Sequence, residues 1–237
     1  MASSQSVLLT GVTGSLGAVI LEQLLANGNP VTAVLRSFQN SKSPLEKSYE
    51  NEVAAGKLQF LEIPDMTVPN AFHAAAKGAE VIMHVATPLA KENILEEMIK
   101  PADQIIDNVL KAATASSTVK RVIVTGSIVS VFSFLHFMEG PKICTEADFN
   151  DITLDEALTQ FPLSYTYSKT SSEKKAWEYM HKSPQHFDLV FLLAPSIYGK
   201  SIQSGFRATK GNLGGIPSIY TELFDRDSLG VLFSYVM

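Results

Sequence analysis

A strand, a glycine-rich turn and a helix follow one another at the start of the chain. Val7 to Thr10 has strand character, three glycines spaced three apart come next, and an apolar helical pattern then runs to Gly28. This order is typical of a phosphate cradle, because glycine lets the turn approach a pyrophosphate and the helix start directs N–H groups at the anion. A plain tight turn is the alternative. We predict a dinucleotide site formed by Gly11, Thr13, Gly14, Ser15, Leu16 and Gly17.

The next strand, over residues 30–35, ends at Arg36. In a nucleotide-binding unit this strand end faces the adenosine ribose, where an acidic residue would bind the hydroxyls of NAD. A guanidinium group suits a 2′-phosphate instead, because it is a permanent, fork-shaped donor. Arg36 therefore predicts NADPH in preference to NADH, with a solvated surface arginine as the alternative.

Strands and helices alternate along the rest of the chain. Further strands are predicted at residues 57–63, 79–86, 120–127 and 187–194, and helices at 45–55, 68–77, 94–116 and 164–182. Such alternation predicts an α/β fold: a Rossmann-type, doubly wound parallel sheet with helices on both faces. His84 has no partner at metal-ligand spacing, so we predict a packed or capping histidine and no metal site.

Ligands bind at the carboxyl ends of the strands in such a sheet. Asp65 and Met66 follow the third strand, and we predict that they lie near an adenine; capping of a turn by Asp65 is the alternative. The fourth strand is broken at Thr87-Pro88. Val85, Ala86 and Thr87 are therefore predicted to contact the cofactor.

Three residues combine into a candidate catalytic group. Ser127 ends the fifth strand, while Tyr165 and Lys169 are four apart on one face of the following long helix. A tyrosine is a poor acid–base group at neutral pH because its ordinary pKa is about 10, and a nearby cation favours its phenolate. A surface tyrosine and lysine on an ordinary helix is the alternative.

Composition excludes several other classes of protein. The 237 residues carry 19 basic and 24 acidic side chains, a net charge of −5 that disfavours nucleic-acid binding. Cys144 is the single cysteine, so no internal disulfide is expected. The first residues do not resemble a signal peptide and no apolar stretch is long enough to span a bilayer. We expect a cytoplasmic monomer or homodimer that does not bind membranes.

Several segments together resemble the extended short-chain dehydrogenase/reductase family. Within that family they are similar to the dihydroflavonol-reductase-like subgroup, which includes fungal methylglyoxal and carbonyl reductases. They are the glycine turn, the Tyr-x-x-x-Lys of Tyr165 and Lys169, and the segments 84–88, 107–113, 145–150 and 194–199. The resemblance implies NADPH-dependent reduction of a small-molecule aldehyde or ketone. It implies that Tyr165 is the general acid, that Lys169 lowers its pKa and binds the ribose, and that Ser127 orients the carbonyl. It further implies that Pro195, Ser196 and Ile197 hold the nicotinamide end.

Two departures from that pattern stand out. Ile105 and Ile106 replace the Gly-Thr that usually precedes the helix asparagine, Asn108. Members of the family also extend well beyond the position of Met237. We predict a dinucleotide domain over residues 1–199, which includes a substrate-side loop at 128–163. Residues 200–237 would then begin an incomplete C-terminal substrate lobe.

Two other functions remain open. One is epimerisation of a nucleotide sugar. The related dehydration reaction is disfavoured, because Ser127 is followed by Ile128 and Val129 at the place where dehydratases have an Asp-Glu pair. The other is a regulatory or truncated protein that binds the cofactor with weak or no catalysis. Because Tyr165 and Lys169 are both present, we favour a reductase over either of these two functions.

Overall fold

Six parallel strands form one sheet in the spatial order β3-β2-β1-β4-β5-β6. The computed structural model describes residues 4–132, 143–199 and 202–203. The strands are β1 Val7–Thr10, β2 Val31–Leu35, β3 Leu58–Glu62, β4 Val81–His84, β5 Arg121–Ser127 and β6 Asp188–Ala194. This confirms the predicted Rossmann-type doubly wound sheet.

Helices connect the strands and pack on both faces of the sheet. They are α1 Ser15–Ala26, α2 Phe38–Ser48, α3 Glu50–Ala54, α4 Lys100–Ala115, α5 Leu154–Ala157 and α6 Phe161–Lys182. A π-helical turn, Leu95–Ile99, precedes α4, and a 3-10 turn, Ile128–Ser130, follows β5. Within the described ranges, no helix has the length and apolar character needed to cross a bilayer.

The core lies on both faces of the sheet because neighbouring residues of a strand point to opposite sides. Leu8 and Leu9 of β1 are both fully buried. Leu8 belongs to an apolar cluster that includes Ile106 and Val109 of α4, whereas Leu9 belongs to a second cluster that includes Leu21 of α1. Ile106, which with Ile105 replaces the Gly-Thr of the family pattern, is thus a core residue.

Two of the predicted helices differ from the structure. The helix predicted over 45–55 is divided into α2 and α3, and α2 begins earlier, at Phe38. The helix predicted over 68–77 is wrong, because the chain forms successive turns there, with Asn70 at a φ of 66°. The Nδ2 of the buried Asn108 in α4 lies within hydrogen-bond distance of three carbonyl oxygens where this segment begins, those of Met66, Thr67 and Val68.

The strand order reverses at β1, which pairs with β2 on one side and with β4 on the other. The crevice at the carboxyl ends of β1 and β4 is the place where open α/β sheets bind their ligands. Thr10 and His84, the last residues of these two strands, lie opposite each other in the register.

Part of the predicted substrate side lies outside the described residues. This applies to residues 133–142 of the substrate-side loop and, except for Ile202 and Gln203, to the proposed lobe over 200–237. The two-domain division therefore stays a prediction.

Gly17 offers a direct test of the packing between α1 and the glycine turn. A Cβ at this position would lie 1.9 Å from the carbonyl oxygen of Gly11, so the turn and the helix would have to separate. We expect Gly17→Ala to lower the free energy of unfolding by about 1–3 kcal/mol or more, measured by urea denaturation. Gly199→Ala is the control, since an added Cβ meets nothing within 4 Å there. Equal stability of the two variants would contradict this packing.

Candidate active site

The glycine turn presents backbone N–H groups at the carboxyl edge of the sheet. Gly11 has a φ of 78° and lies so close to β4 that a Cβ would be 2.8 Å from the Ala86 nitrogen. Gly14 donates its N–H to the Gly11 carbonyl at 2.9 Å and is the N-cap of α1, with no side chain capping the helix. Thr13, Gly14 and Ser15 are exposed. The N–H groups at the start of α1 can therefore donate hydrogen bonds to a bound anion.

Thr10 joins the glycine turn to the end of β4. Its Oγ1 accepts hydrogen bonds from the N–H groups of Val85, at 3.0 Å, and of Ala86, at 3.1 Å. The same hydroxyl lies 2.9 Å from Nδ1 of His84. Three of the predicted cofactor-binding residues, Val85, Ala86 and Gly11, are thereby fixed side by side.

These contacts determine which nitrogen of His84 carries the proton. The Thr10 hydroxyl accepts two hydrogen bonds and has a single proton, which it donates to Nδ1 of His84. The imidazole is therefore neutral, with its proton on Nε2. Burial, reinforced by the charge of Lys169, lowers the pKa of His84 to about 3. The prediction of a packed histidine agrees with this arrangement.

Ser127 ends β5 and is 7% exposed. The backbone is extended at this residue and then enters the 3-10 turn, so the side chain stands at a change of chain direction. Its Oγ accepts a long hydrogen bond of 3.5 Å from the Val129 N–H, and the Ser127 side chain lies close enough to Tyr165 to influence the pKa of its phenol. The structure thus brings Ser127 and Tyr165 together.

Lys169 is one helical turn after Tyr165 on α6, and both side chains are partly buried. The Lys169 ammonium donates to the Thr87 hydroxyl at 2.9 Å and to the Thr125 carbonyl at 3.1 Å. It lies 5.8 Å from the centroid of the Tyr165 ring. Lys169 therefore connects α6 to the carboxyl ends of β4 and β5.

Burial controls the protonation of this pair. Burial raises the pKa of Tyr165 above its ordinary value, and the neighbouring polar side chain of Ser127 acts in the opposite direction. Burial also lowers the pKa of Lys169 to about 8, opposed by the nearby carboxyl group of Glu173. Burial of the phenol is the largest influence on the pKa of Tyr165, and the Lys169 ammonium is directed at Thr87 and at the Thr125 carbonyl. The expectation that Lys169 lowers the pKa of Tyr165 stays a prediction.

A small cavity of about 30 Å³ lies behind Lys169. His84, Thr87, Ile106 and Ser168 are among the residues that line it. The volume is sufficient for a water molecule, and its walls offer polar partners.

The residues predicted for the adenosine end lie at the carboxyl ends of β2 and β3. Arg36 is exposed and directly precedes the residues that start α2. Glu62, which sequence reasoning missed, accepts a hydrogen bond of 2.6 Å from the Phe38 N–H at the start of that helix. Oδ1 of Asp65 accepts from both the N–H and the hydroxyl of Thr67, so Asp65 caps a turn here, and these hydrogen bonds lower its pKa.

Met66 is buried beside Asp65, and its carbonyl accepts from Asn108. Asn108, singled out as the family's helix asparagine, thus supports the turn that carries the predicted adenine contacts. Its own side chain does not join Ser127 and Tyr165.

The residues after β6 directly follow Ala194, which lies opposite Ser127 in the register of β5 and β6. Pro195, Ser196 and Ile197 are exposed, and no hydrogen bond to the glycine turn is described for them. Gln203 does reach that turn: its amide donates to the Thr13 carbonyl at 2.7 Å and accepts from the Ser15 hydroxyl at 3.4 Å. No local pattern in the sequence marks this contact. Across the described ranges, no group of three or more His, Cys, Asp or Glu side chains could hold a metal ion.

Residues 7–213 match the family model described as the NAD dependent epimerase/dehydratase family. The match covers most of the chain, and the chain belongs to this family. It is 33% identical over 205 residues to an uncharacterized oxidoreductase of Schizosaccharomyces pombe, covering 84% of this chain and 60% of that protein. It is 31% identical over 211 residues to aldehyde reductase 2 of Sporidiobolus salmonicolor, again covering 84% of this chain and 60% of the relative.

Among solved structures, the chain is similar to Gre2 from Candida albicans in complex with NADPH. The TM-score is 0.80 at 24% identity, over 90% of this chain and 63% of that chain. At this identity the likeness concerns the fold, which it confirms. The chain spans about 60% of the length of the curated relatives it matches.

The protonation state of His84 can be measured directly. We expect its imidazole to stay neutral, with the proton on Nε2, between about pH 5 and 8, because burial holds its pKa at about 3. Nitrogen-15 NMR of labelled histidine checks this, with the same chain in denaturant as the control. A His84 signal that titrates within this range in the folded protein would contradict the assignment.

Proposed function

We propose that this member of the NAD dependent epimerase/dehydratase family reduces the carbonyl group of a small aldehyde or ketone with NADPH. The observation that carries the proposal is the meeting of Ser127, Tyr165 and Lys169 beside the glycine turn, at the carboxyl edge of the sheet. The similarity to an aldehyde reductase and to the fold of a protein crystallised with NADPH supports it.

The described residues fit a dinucleotide. The exposed N–H groups at the start of α1 suit the pyrophosphate, and Gly11 gives it close access to the backbone. In this proposal Arg36 binds the 2′-phosphate, Asp65 and Met66 contact the adenine, and Val85, Ala86 and Thr87 line the middle of the site. Pro195, Ser196 and Ile197 would hold the nicotinamide end. The bound cofactor supplies the hydride.

Tyr165 has the protonation state that reduction requires. Since burial raises its pKa, the phenol keeps its proton at neutral pH and can donate it to the oxygen of the reacting carbonyl. Ser127, which lies beside Tyr165, would donate a hydrogen bond to the same oxygen and stabilise its developing charge. The two groups thus act on one atom from the end of β5 and from α6.

Lys169 supplies a fixed positive charge to this pair. With a pKa of about 8, most of its ammonium is protonated at neutral pH. Hydrogen bonds to Thr87 and to the Thr125 carbonyl hold it in place, at 5.8 Å from the Tyr165 ring centroid. In our proposal it stabilises the phenolate that forms when Tyr165 loses its proton, and donates a hydrogen bond to the ribose.

The cytoplasmic location and the monomeric or homodimeric state stay predictions.

Replacing the phenol hydroxyl tests its role as the proton donor. We expect Tyr165→Phe to lower kcat by roughly 10²–10⁴-fold, since that is the range for general acid catalysis, and to leave NADPH affinity unchanged. Turnover of a panel of aldehydes and ketones and a fluorescence titration with NADPH measure the two effects. Tyr167→Phe is the matched control, because Tyr167 is on the same helix and lines a separate groove. Equal kcat values for the two variants would contradict the assignment.

The choice between NADPH and NADH tests Arg36. We expect Arg36→Ala to weaken NADPH binding roughly tenfold through loss of a charge-assisted hydrogen bond, with NADH binding unchanged. Glu62→Gln should strengthen NADPH binding, because it removes the negative charge of a carboxylate that lies at the start of α2, next to the strand end that bears Arg36. Lys47→Ala, in the last turn of α2, is the control for loss of one positive charge. Equal loss of NADPH affinity in the Arg36 and Lys47 variants would refute a specific phosphate contact.

A further inference from the structure

Asn150 is a buried polar residue to which the proposed reaction gives no role. It lies in the segment between β5 and α5 and is 5% exposed. Its side-chain amide donates to the carbonyl groups of Val129, at 3.2 Å, and of Phe132, at 2.8 Å. Its backbone N–H donates to the Ser130 carbonyl at 2.7 Å. One residue thus binds three carbonyl groups at the end of the 3-10 turn that follows Ser127.

The orientation of the Asn150 amide follows from one further contact. The Ile152 N–H lies 2.9 Å from Oδ1, and a backbone N–H can only donate, so this atom is the carbonyl oxygen of the amide. The two protons of Nδ2 then meet one carbonyl oxygen each, that of Val129 and that of Phe132. The amide therefore holds the end of the turn through both of its donors.

The turn connects this amide to Ser127. Val129 is bound to Asn150 through its carbonyl group and donates its N–H to Ser127 Oγ at 3.5 Å. A hydrogen bond of this length fixes a direction only weakly. The direction of the Ser127 hydroxyl therefore depends on how firmly the turn itself is held, and Asn150 supplies that support.

The same turn is also attached to helix α6. The Lys174 ammonium donates to the Asn150 carbonyl at 3.3 Å. The preceding residue of α6, Glu173, accepts a hydrogen bond of 2.6 Å from the Ser130 hydroxyl. The helix that carries Tyr165 is thereby joined to the 3-10 turn and to Asn150 from two consecutive positions.

We propose that Asn150 is a positioning residue that sets the Ser127 hydroxyl opposite Tyr165. The described contacts of its side chain are with backbone groups, so its influence on turnover passes through the turn. The inference rests on the proposed function, in which Ser127 and Tyr165 act on one carbonyl oxygen. A displaced turn should impair the reaction and leave cofactor binding intact, because the glycine turn is attached to β1 and to the end of β4.

Asn150→Asp tests this role. The substitution keeps the shape and the Oδ1 acceptor, but places an oxygen where Nδ2 now donates to two carbonyl groups. We expect kcat for a panel of aldehydes and ketones to fall roughly tenfold or more, because a small misplacement of a reacting group is costly, with an unchanged dissociation constant for NADPH. Asn150→Ala removes the donors without adding a charge and should act in the same direction.

Two other asparagines provide matched comparisons. Asn29 donates to the Gln5 carbonyl at 3.0 Å, before the amino ends of β1 and β2, so Asn29→Asp should keep the wild-type kcat. Asn108 is also 5% exposed, and its amide contacts three carbonyl oxygens beside the predicted adenine contacts. Asn108→Asp should therefore weaken NADPH binding, which Asn150→Asp should not. Equal loss of NADPH affinity in these two variants would overturn the positioning role, because it would indicate a general disruption of the fold.

Amide hydrogen exchange tests the support of the turn without turnover. The N–H groups of Val131 and Phe132 donate to the Ile128 carbonyl within the turn. Asn150→Asp should speed their exchange and leave that of β5 unchanged. Unchanged exchange at Val131 and Phe132 would overturn the proposed support, and a kcat equal to that of Asn29→Asp would overturn the positioning role. If the wild-type chain reduced no carbonyl compound, the proposed function would fail, while the exchange result would still decide whether Asn150 holds the turn.

Discussion

The arrangement of the candidate site depends on one hydroxyl group. Thr10, at the end of β1, accepts from two successive N–H groups after β4 and donates to His84, so it holds three groups of the neighbouring strand. The glycine turn starts at the next residue, and Gly11 packs directly against Ala86. The two central strand ends and the turn consequently form one rigid corner. The start of α1 and the Thr87 contact of Lys169 are both built on that corner.

Burial at this edge of the sheet is the common cause of the unusual protonation states. It raises the pKa of Tyr165 and of Glu173, and it lowers the pKa of Lys169 and of His84. In each case the low-dielectric surroundings favour the neutral form. Lys169 keeps enough exposure and enough hydrogen bonds to remain mostly charged at neutral pH. A proton-bearing phenol beside a single cation is the arrangement that a carbonyl reductase needs, and this is the basis of our proposal.

Local patterns in the sequence predicted the sheet well. All six predicted strands are present, and the four-residue spacing of Tyr165 and Lys169 correctly predicts that both lie on one face of α6. Side-chain hydrogen bonds between distant residues are outside what such local patterns report. The amide of Asn108 contacts three carbonyl groups about forty residues away, where the segment with the wrongly predicted helix over 68–77 begins. The contact between Ser130 and Glu173 joins residues 43 apart, and no periodicity reports such a pair.

The most direct test of the account is to follow the hydrogen that this site is proposed to transfer. The protein would be mixed with NADPH deuterated at C4 of the nicotinamide and with a small aldehyde, and the alcohol analysed by mass spectrometry. We predict that deuterium appears on the carbinol carbon, from one face of the cofactor only, and that transfer requires the folded protein. Binding of NADPH with no deuterium in any alcohol product would contradict the proposed reduction and would favour a protein that binds the cofactor without catalysis.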